Sequence, residues 1–400
     1  MHIRSVIRKW TDMWMRALIG WLVNVVTLFQ VLFGLRVLWR IGRTLKGHAI
    51  QRCDLQEINS PLISVVIPVL NECARLAPCL QGVLEQGLEV AEILVVDGGS
   101  TDGTLELVAY YQTRDTRVRL IKASPTPPGW NGKAWNLQVG FDVSASSASW
   151  LLTVDADVRP SSGLARALLA HAQRTGIQVF SVATRQEVSG VLEILVHAAF
   201  LTTLVYRLGA PGHVASHVDA VQANGQCFFI HKDALRACGG FEAVRDSLCE
   251  DVTLARTLVK LGYQVGFYEA GSLASVRMYQ DWRDVWENWP RSLPLRDRFW
   301  RTRSIVALLE VTLVQALPLL FTLLLWQRRY RQRWAFAVNS LLTGVRLGVL
   351  WGMARAYASP PWSYWFSPIC DLPAVIRLWD SLLRRRHTWR GRELVVGACR

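Results

Sequence analysis

Two aspartates one residue apart, Asp155 and Asp157, directly follow the apolar run WLLTV. In an extended chain, residues i and i+2 face the same side. Both carboxylates can therefore reach one site, and a carboxylate pair with phosphate oxygens suits Mg2+ or Mn2+. Two other apolar runs end in polar residues: Pro68-Val69-Leu70-Asn71-Glu72 and Asp97-Gly98-Gly99-Ser100. Taken singly, such residues also cap helices and make turns. Taken together, Glu72, Asp97, Asp155 and Asp157 would meet on one ligand if the runs were strands of one parallel sheet. Ligands of open α/β sheets bind beyond the carboxyl ends of the strands.

The runs support that arrangement. Residues 63–67, 92–96, 118–121, 150–154 and 179–182 are continuous, Val- and Ile-rich segments, the pattern of strands buried on both faces. Between the first two, Leu76, Leu80, Val83 and Leu84 recur at helical spacing; after the second, Leu105, Val108 and Ala109 do the same. Strand–helix alternation predicts an α/β domain with a mostly parallel, Rossmann-like sheet over residues 48–290.

Flanking regions differ. Of the 400 residues, 51% are apolar and 19% charged, against about 45–50% and about 25% in average soluble proteins. Residues 17–35 carry no charge, lie between Arg16 and Arg36 and approach the ~20 residues that span a bilayer. They are long for a signal core and no A-x-A site follows, which predicts an uncleaved anchor within residues 1–47. Residues 304–326 and 334–353 are apolar but contain Glu310, Gln315, Pro318, Asn339 and Arg346. Glu310 and Arg346 either pair between neighbouring helices or mark segments that lie in the interface or dip in and return. Arginines flank residues 304–326 on both sides; a re-entrant hairpin broken near Pro318 would keep both flanks cytoplasmic. Residues 291–400 are thus expected to form transmembrane, re-entrant or interfacial helices with a basic tail. Eleven of the 18 Trp follow residue 280, as suits headgroup depth. The net charge of +14 implies an anionic partner. Its arginines cluster beside apolar segments and no nucleic-acid motif is present, so anionic lipid is expected and nucleic acid is not. The eight scattered Cys form no CxxC pair, which speaks against a zinc cage or redox dithiol.

The sequence resembles the family 2 glycosyltransferases, which have the GT-A fold. The matching segments are SVVIPVLNE at 64–72, VVDGGSTDGT at 95–104, DAD at 155–157, NGQCFFIHKDALRACGGF at 224–241 and CEDVTLA at 249–255. Gly98 stands where most members carry a second Asp. The resemblance implies that Pro68, Asn71, Glu72 and Gly99 line the nucleotide pocket and that Asp97 holds the base. Asp155 would contact ribose or diphosphate and share the metal with Asp157. Asn224 and Gly225 would pass under the transferred sugar. Asp251, next to Glu250, would be the general base of a single displacement with inversion. The implied donor is a nucleotide sugar such as UDP-glucose, with Mg2+ or Mn2+ as cofactor.

PGWNGKAW at 128–135 and TWRGR at 388–392 resemble loops of transferases that glycosylate carotenoids or accompany hopanoid pathways. Lys133 would then pair with a phosphate. Arg390 and Arg392 would close over the diphosphate or bind anionic lipid. The Q-x-x-R-W motif of processive synthases is missing; the equivalent region reads MYQDWRDVWENWPRS. Transfer of one sugar to a lipid hydroxyl, foremost a carotenoid, is expected at the cytoplasmic side of the cell membrane. A hopanoid, a polyprenyl phosphate or diacylglycerol is the alternative acceptor, and a non-catalytic nucleotide-sugar-binding membrane protein the non-enzyme alternative. Trp282, Val285, Trp286 and Trp289 fall on one face of a helix expected to end before Pro290. That face either packs in the core or lies in the membrane interface near the acceptor.

Overall fold

The computed structural model describes residues 2–45, 47–53, 62–292, 301–328, 332–384, 386–389 and 392–395. A long helix, α1 (His2–Thr44), leads into an α/β domain. Its elements are β1 (Ile63–Val69), α2 (Cys73–Leu84), β2 (Val90–Asp97), α3 (Thr104–Gln112), β3 (Val118–Lys122), α4 (Gly132–Asp142) and β4 (Trp150–Val154). There follow β5 (Val158–Pro160), α5 (Leu164–Thr175), β6 (Val179–Ala183), β7 (Arg185–Gln186), α6 (Val191–Leu208) and β8 (His213–Ala215). The domain closes with β9 (Cys227–His231), α7 (Lys232–Ala237), α8 (Glu250–Lys260), β10 (Val265–Glu269) and β11 (Ala274–Val276).

Eight strands form one sheet in the order β3-β2-β1-β4-β9-β6-β10-β8. The pairs β3/β2, β2/β1, β1/β4 and β6/β10 are parallel; β9 runs antiparallel to β4 and β6, and β8 antiparallel to β10. All five expected strands are present. Their unbroken apolar character has a direct cause. Val65, Ile67, Ile93 and Val95 enter the core on one face of the sheet, while Val66, Leu94 and Val96 enter the core on the other. With helices on both faces, no residue of β1 or β2 is left exposed.

The remaining helices are α9 (Trp282–Ser292), α10 (Arg301–Val311), α11 (Leu317–Leu325), α12 (Arg333–Met353) and α13 (Asp371–Leu383). Among the described residues, four stretches are long and apolar enough to cross a membrane: Met13–Thr44, Val191–Leu208, Thr302–Leu325 and Arg333–Ala356. The second, α6, was not anticipated, because its apolar character sits inside the catalytic stretch. It packs in a shared core with α1, α9, α10, α12 and α13, where Phe200 and Tyr206 meet Val37, Trp289, Val311 and Leu342.

Two expectations about these helices are corrected. The chain does not break near Pro318. A π-helical turn over Thr312–Ala316 precedes it and the chain continues as α11. Pro318 sits at the start of α11, where its missing N–H costs little. Nor do Glu310 and Arg346 pair with each other. Glu310 is buried and binds Arg40 and Arg36 of α1. Arg346 is 2.8 Å from Oδ2 and 2.9 Å from Oδ1 of Asp371, and Gln315 donates to the same carboxylate at 2.8 Å. Asn339 accepts from Gln30 at 2.9 Å. Each polar residue flagged within these apolar segments thus has at least one protein partner, as a low-dielectric setting favours, while Gln315 Oε1 and Arg346 Nη1 make no hydrogen bond among the described residues.

Candidate active site

The carboxyl ends of β1, β2 and β4 lie side by side, because these strands are sheet neighbours in parallel register. At the end of β1, Asn71 has φ 55°, a left-handed conformation that Asn tolerates better than most residues. Its Oδ1 accepts from Thr101 N–H at 2.8 Å and its N–H donates to Ser100 Oγ at 2.9 Å. The β1 and β2 loops are therefore stitched together. Asp97 is buried, and its carboxylate accepts from the N–H groups of Gly99 at 2.9 Å and Ser100 at 3.0 Å. It shapes the loop from beneath. Of this loop it is Gly98, with neither Asp97 nor Gly99, that lines the cavity described below.

Asn136, which sequence reasoning passed over, lies against Gly98. Its Nδ2 donates to the carbonyls of Val96 at 3.1 Å and Val69 at 3.3 Å, so it bridges the two strand ends. A Cβ on residue 98 would stand 3.1 Å from that nitrogen. Where a carboxylate is expected, this chain offers instead a bare backbone backed by an amide.

At the end of β4, Lys133 Nζ lies 2.8 Å from Asp155 Oδ1 and 2.9 Å from Glu250 Oε1. Lys133 comes from the first turn of α4. Asn131 caps that helix, accepting from Lys133 N–H at 3.2 Å, and donates to Ser247 O at 2.8 Å. The W-N-G-K loop is so anchored to the segment that precedes Glu250. Burial works against the Lys133 charge, but Asp155, Glu250 and Asp251 outweigh it and hold its pKa well above the ordinary value. Burial raises Asp155, against the pull of Lys133.

Burial and the Asp155 charge push Asp157 up to about 7, opposed by Arg75. Arg75 Nη1 stands 3.9 Å from Asp157 while Arg75 Nη2 holds Glu72 at 2.8 Å. Arg75 was also missed, although its spacing three residues after Glu72 on a helix was a usable signal. Asp157 Oδ1 is buried and has no hydrogen-bond partner. Among the described residues, no three His, Cys, Asp or Glu side chains form a metal cage. The protein itself therefore offers two adjacent carboxylates with one orphaned oxygen. That fits a hard divalent cation whose other ligands come from a phosphorylated substrate and water.

Opposite them, Asp251 opens α8. Its Oδ2 accepts from Gly225 N–H at 2.6 Å and its Oδ1 from Val252 N–H at 2.8 Å. Burial, then the neighbouring Glu250, raise its pKa to about 6, against Lys133. Gly225 sits in a tight space. A Cβ there would stand 3.0 Å from Lys133 Nζ and 3.2 Å from Asp251 Oδ2. Asn224 Nδ2 donates to Gln226 Oε1 at 2.9 Å, which fixes the turn.

Apart from Asp97 and Gly99, the expected site residues on the described strands and loops face one cavity of about 1170 Å³. Pro68, Asn71, Glu72, Lys133, Asp155, Asp157, Asn224, Gly225, Glu250 and Asp251 line it. It also extends between apolar walls contributed by α1, α6 and α12, with Asp284, Asn288 and Trp289 of α9 beside them. The three tryptophans of α9 part company here. Trp289 is buried and lines the cavity, its ring 4.2 Å from that of His197. Trp286 packs on Phe200, and Trp282 is exposed; neither lines the cavity. The helix also runs through Pro290 to Ser292, past its expected end. A single interfacial aromatic face is thus not what α9 presents; α6 and α13 cover its inner side. Arg390 lies outside the described residues, as does the side chain of Arg392.

Comparison with known proteins gives consistent likenesses. The sequence model of glycosyl transferase family 2 matches residues 64–233, and that of glycosyl transferase family group 2 matches residues 150–378. The chain is 27% identical over 225 residues to the succinoglycan biosynthesis protein ExoA of Rhizobium meliloti, covering 54% of this chain and 64% of ExoA. It is 33% identical over 98 residues to the glycosyltransferase GlyG of Streptococcus pneumoniae, covering 24% of this chain and 31% of GlyG. The chain therefore spans less than two thirds of these relatives. Among solved structures, the mannosyltransferase PcManGT of Pyrobaculum calidifontis, in complex with GDP-Man and Mn2+, superposes with a TM-score of 0.50 at 17% identity. That match covers 90% of this chain and 99% of the other.

Proposed function

The chain belongs to glycosyl transferase family group 2, and we propose that it moves one sugar from a nucleotide sugar to a lipid hydroxyl, foremost that of a carotenoid. One observation carries the lipid half of this reading. The cavity that holds Asp155, Asp157 and Asp251 is continuous with apolar walls from three helices, α1, α6 and α12. A soluble acceptor has no use for Leu38, Leu201 and Val349 along its path. The carotenoid choice rests on the likeness of PGWNGKAW and TWRGR to loops of such transferases.

In this reading the nucleotide enters over Pro68, Asn71 and Glu72. Asp155 and Asp157 would hold Mg2+ or Mn2+, a Lewis acid that stabilises charge on the departing diphosphate. Lys133, poised between Asp155 and Glu250, contributes a second positive charge to the diphosphate. Asn224 and Gly225 form the floor under the sugar. Asp251 takes the proton of the acceptor hydroxyl. Its two backbone donors fix the carboxylate, and its raised pKa makes it a stronger base near neutral pH than an ordinary Asp. A single base opposite the leaving group gives inversion. The catalytic domain, residues 48–290, faces the cytoplasm, where nucleotide sugars are made; residues 1–47 and 291–400 attach it to the membrane.

The test supplies membranes containing the protein with radiolabelled UDP- and GDP-sugars and a panel of hydroxylated carotenoids, hopanoids and diacylglycerol. Label in one organic-phase product, with inverted anomeric configuration, is expected. Label only in water-soluble polymer would refute the lipid reading.

A further inference from the structure

Helices α1 and α12 touch along one stretch. Gln30 and Asn339 are hydrogen-bonded at 2.9 Å, and a Cβ on Gly34 would stand 3.1 Å from Leu342 Cδ2. One turn further along, Leu38 and Ile41 of α1, Leu45 just past its end, and Val345, Gly348 and Gly352 of α12 line the cavity that contains Asp251. Nothing lies within 4 Å of a Cβ placed on Gly348 or Gly352. Leu38 is 40% and Leu45 70% exposed, so the gap lined by these six residues meets the protein's exterior. Leu204 and Leu208 of α6 close its back. Arg346 lies on this part of α12, but its side chain turns away into Asp371.

We infer that this gap is a lateral slot that receives the hydrocarbon chain of the acceptor from within the bilayer, while the hydroxyl end reaches Asp251. The inference rests on the lipid-acceptor reading above and adds the path of the chain. The six wall positions carry no charge or hydrogen-bonding side chain. A hydrocarbon there exchanges lipid contacts for protein contacts of equal polarity. Only the polar end of the acceptor must then leave the interface, so the lipid need not be extracted into water. The occupant is identified by the two ends of one cavity: carboxylates at the inner end and an apolar side opening at the other.

The experiment uses the full chain in lipid nanodiscs and a long-chain primary alcohol with a diazirine midway along its chain. After irradiation, peptide mass spectrometry locates the label. Label within 38–45 and 345–352 is expected. Gly348→Leu and Gly352→Leu should lower that labelling about tenfold or more. Gly344→Leu should leave it unchanged, since Gly344 also has open space beside it but does not line the cavity. Leu is a better helix former than Gly, so loss of the fold is not the expected cause of an effect. Label confined to the outer helix faces, or slot labelling indifferent to Gly348→Leu and Gly352→Leu, overturns the slot. Photolabelling needs no sugar donor, so the two readings separate. Slot labelling with no lipid glycosylation of any acceptor keeps the slot and sinks the lipid-transferase reading. Lipid glycosylation with label elsewhere does the reverse.

Discussion

Replacing Lys133 by Met removes the cation that holds the site together without metal. Lys133 touches Asp155 at 2.8 Å and Glu250 at 2.9 Å, and Asp157 and Asp251 complete a cluster of four carboxylates around the cavity. Arg75 touches only the Asp157 side. Removing one partner of a buried ion pair costs about 3–5 kcal/mol, because the remaining charge stays uncompensated. Lys133 keeps some solvent contact, so the lower figure, about 3 kcal/mol, is the better expectation. At about 2.1 cal/mol/K of unfolding entropy per residue, 1 kcal/mol moves the melting temperature of 400 residues by about 1 °C, which gives a fall of about 3–4 °C in metal-free buffer. The deficit should depend on pH. In the wild type Lys133 lowers both Asp155 and Asp157, so its removal raises their folded pKa values further. The added penalty is absent below about pH 4, where the carboxylates are protonated in both proteins, and grows as pH rises above that. The variant should match wild type at low pH and fall behind as pH rises to neutrality. Millimolar Mn2+ should recover part of the loss by neutralising the same carboxylates. Differential scanning fluorimetry in detergent, with EDTA or Mn2+, from pH 4 to 8, measures all of this. A deficit that is flat with pH and indifferent to Mn2+ would refute the electrostatic account and leave only lost packing of the lysine stem.

Three further outcomes are expected. Asp251→Asn should keep donor binding by calorimetry while losing about 10²–10⁴-fold in transfer rate, and the wild-type rate should fall about tenfold per unit below pH 6 as Asp251 takes its proton; an unchanged variant rate would give the base to another residue. Trp289→Ala should impair transfer to lipid with donor binding intact, whereas Trp282→Ala, outside the cavity, should do neither; equal effects would remove the distinction drawn between them. Arg346→Ala leaves Asp371 buried with only Gln315 and should destabilise the chain by about 3–5 kcal/mol, whereas the double change Arg346→Leu with Asp371→Leu should recover most of it in a thermal melt.

Much of the fold was legible because burial on both faces leaves a plain mark. Val65, Val66 and Ile67 form a continuous apolar run since successive residues enter different cores. The polar ends of three such runs then located the site, and Asp155, Asp157 and Asp251 do line one cavity. What stayed hidden is what sequence periodicity cannot report. The apolar helix Val191–Leu208 lies within the catalytic stretch, and its partners are distant along the chain, as the bond from Gln315 to Ala199 O across 116 positions illustrates. Arg75 and Asn136 carry no motif of their own. Asn136 matters only because β1 and β2 end beside it.

The sequence by itself determined the sheet, the carboxylate pair and the apolar segments, because each is written in residues close together along the chain. Partner choice was decided only in three dimensions. Glu310 turned to Arg40 and Arg36, and Arg346 to Asp371, since a buried charge takes whichever opposite charge the helix packing brings near. Asp97 became a brace beneath its loop, because the backbone N–H groups of Gly99 and Ser100 close on it. The join between the carboxylate site and the apolar helices is also tertiary. It exists because residues of α1, α6 and α12 line the same cavity as the carboxylates, an adjacency that no single segment encodes.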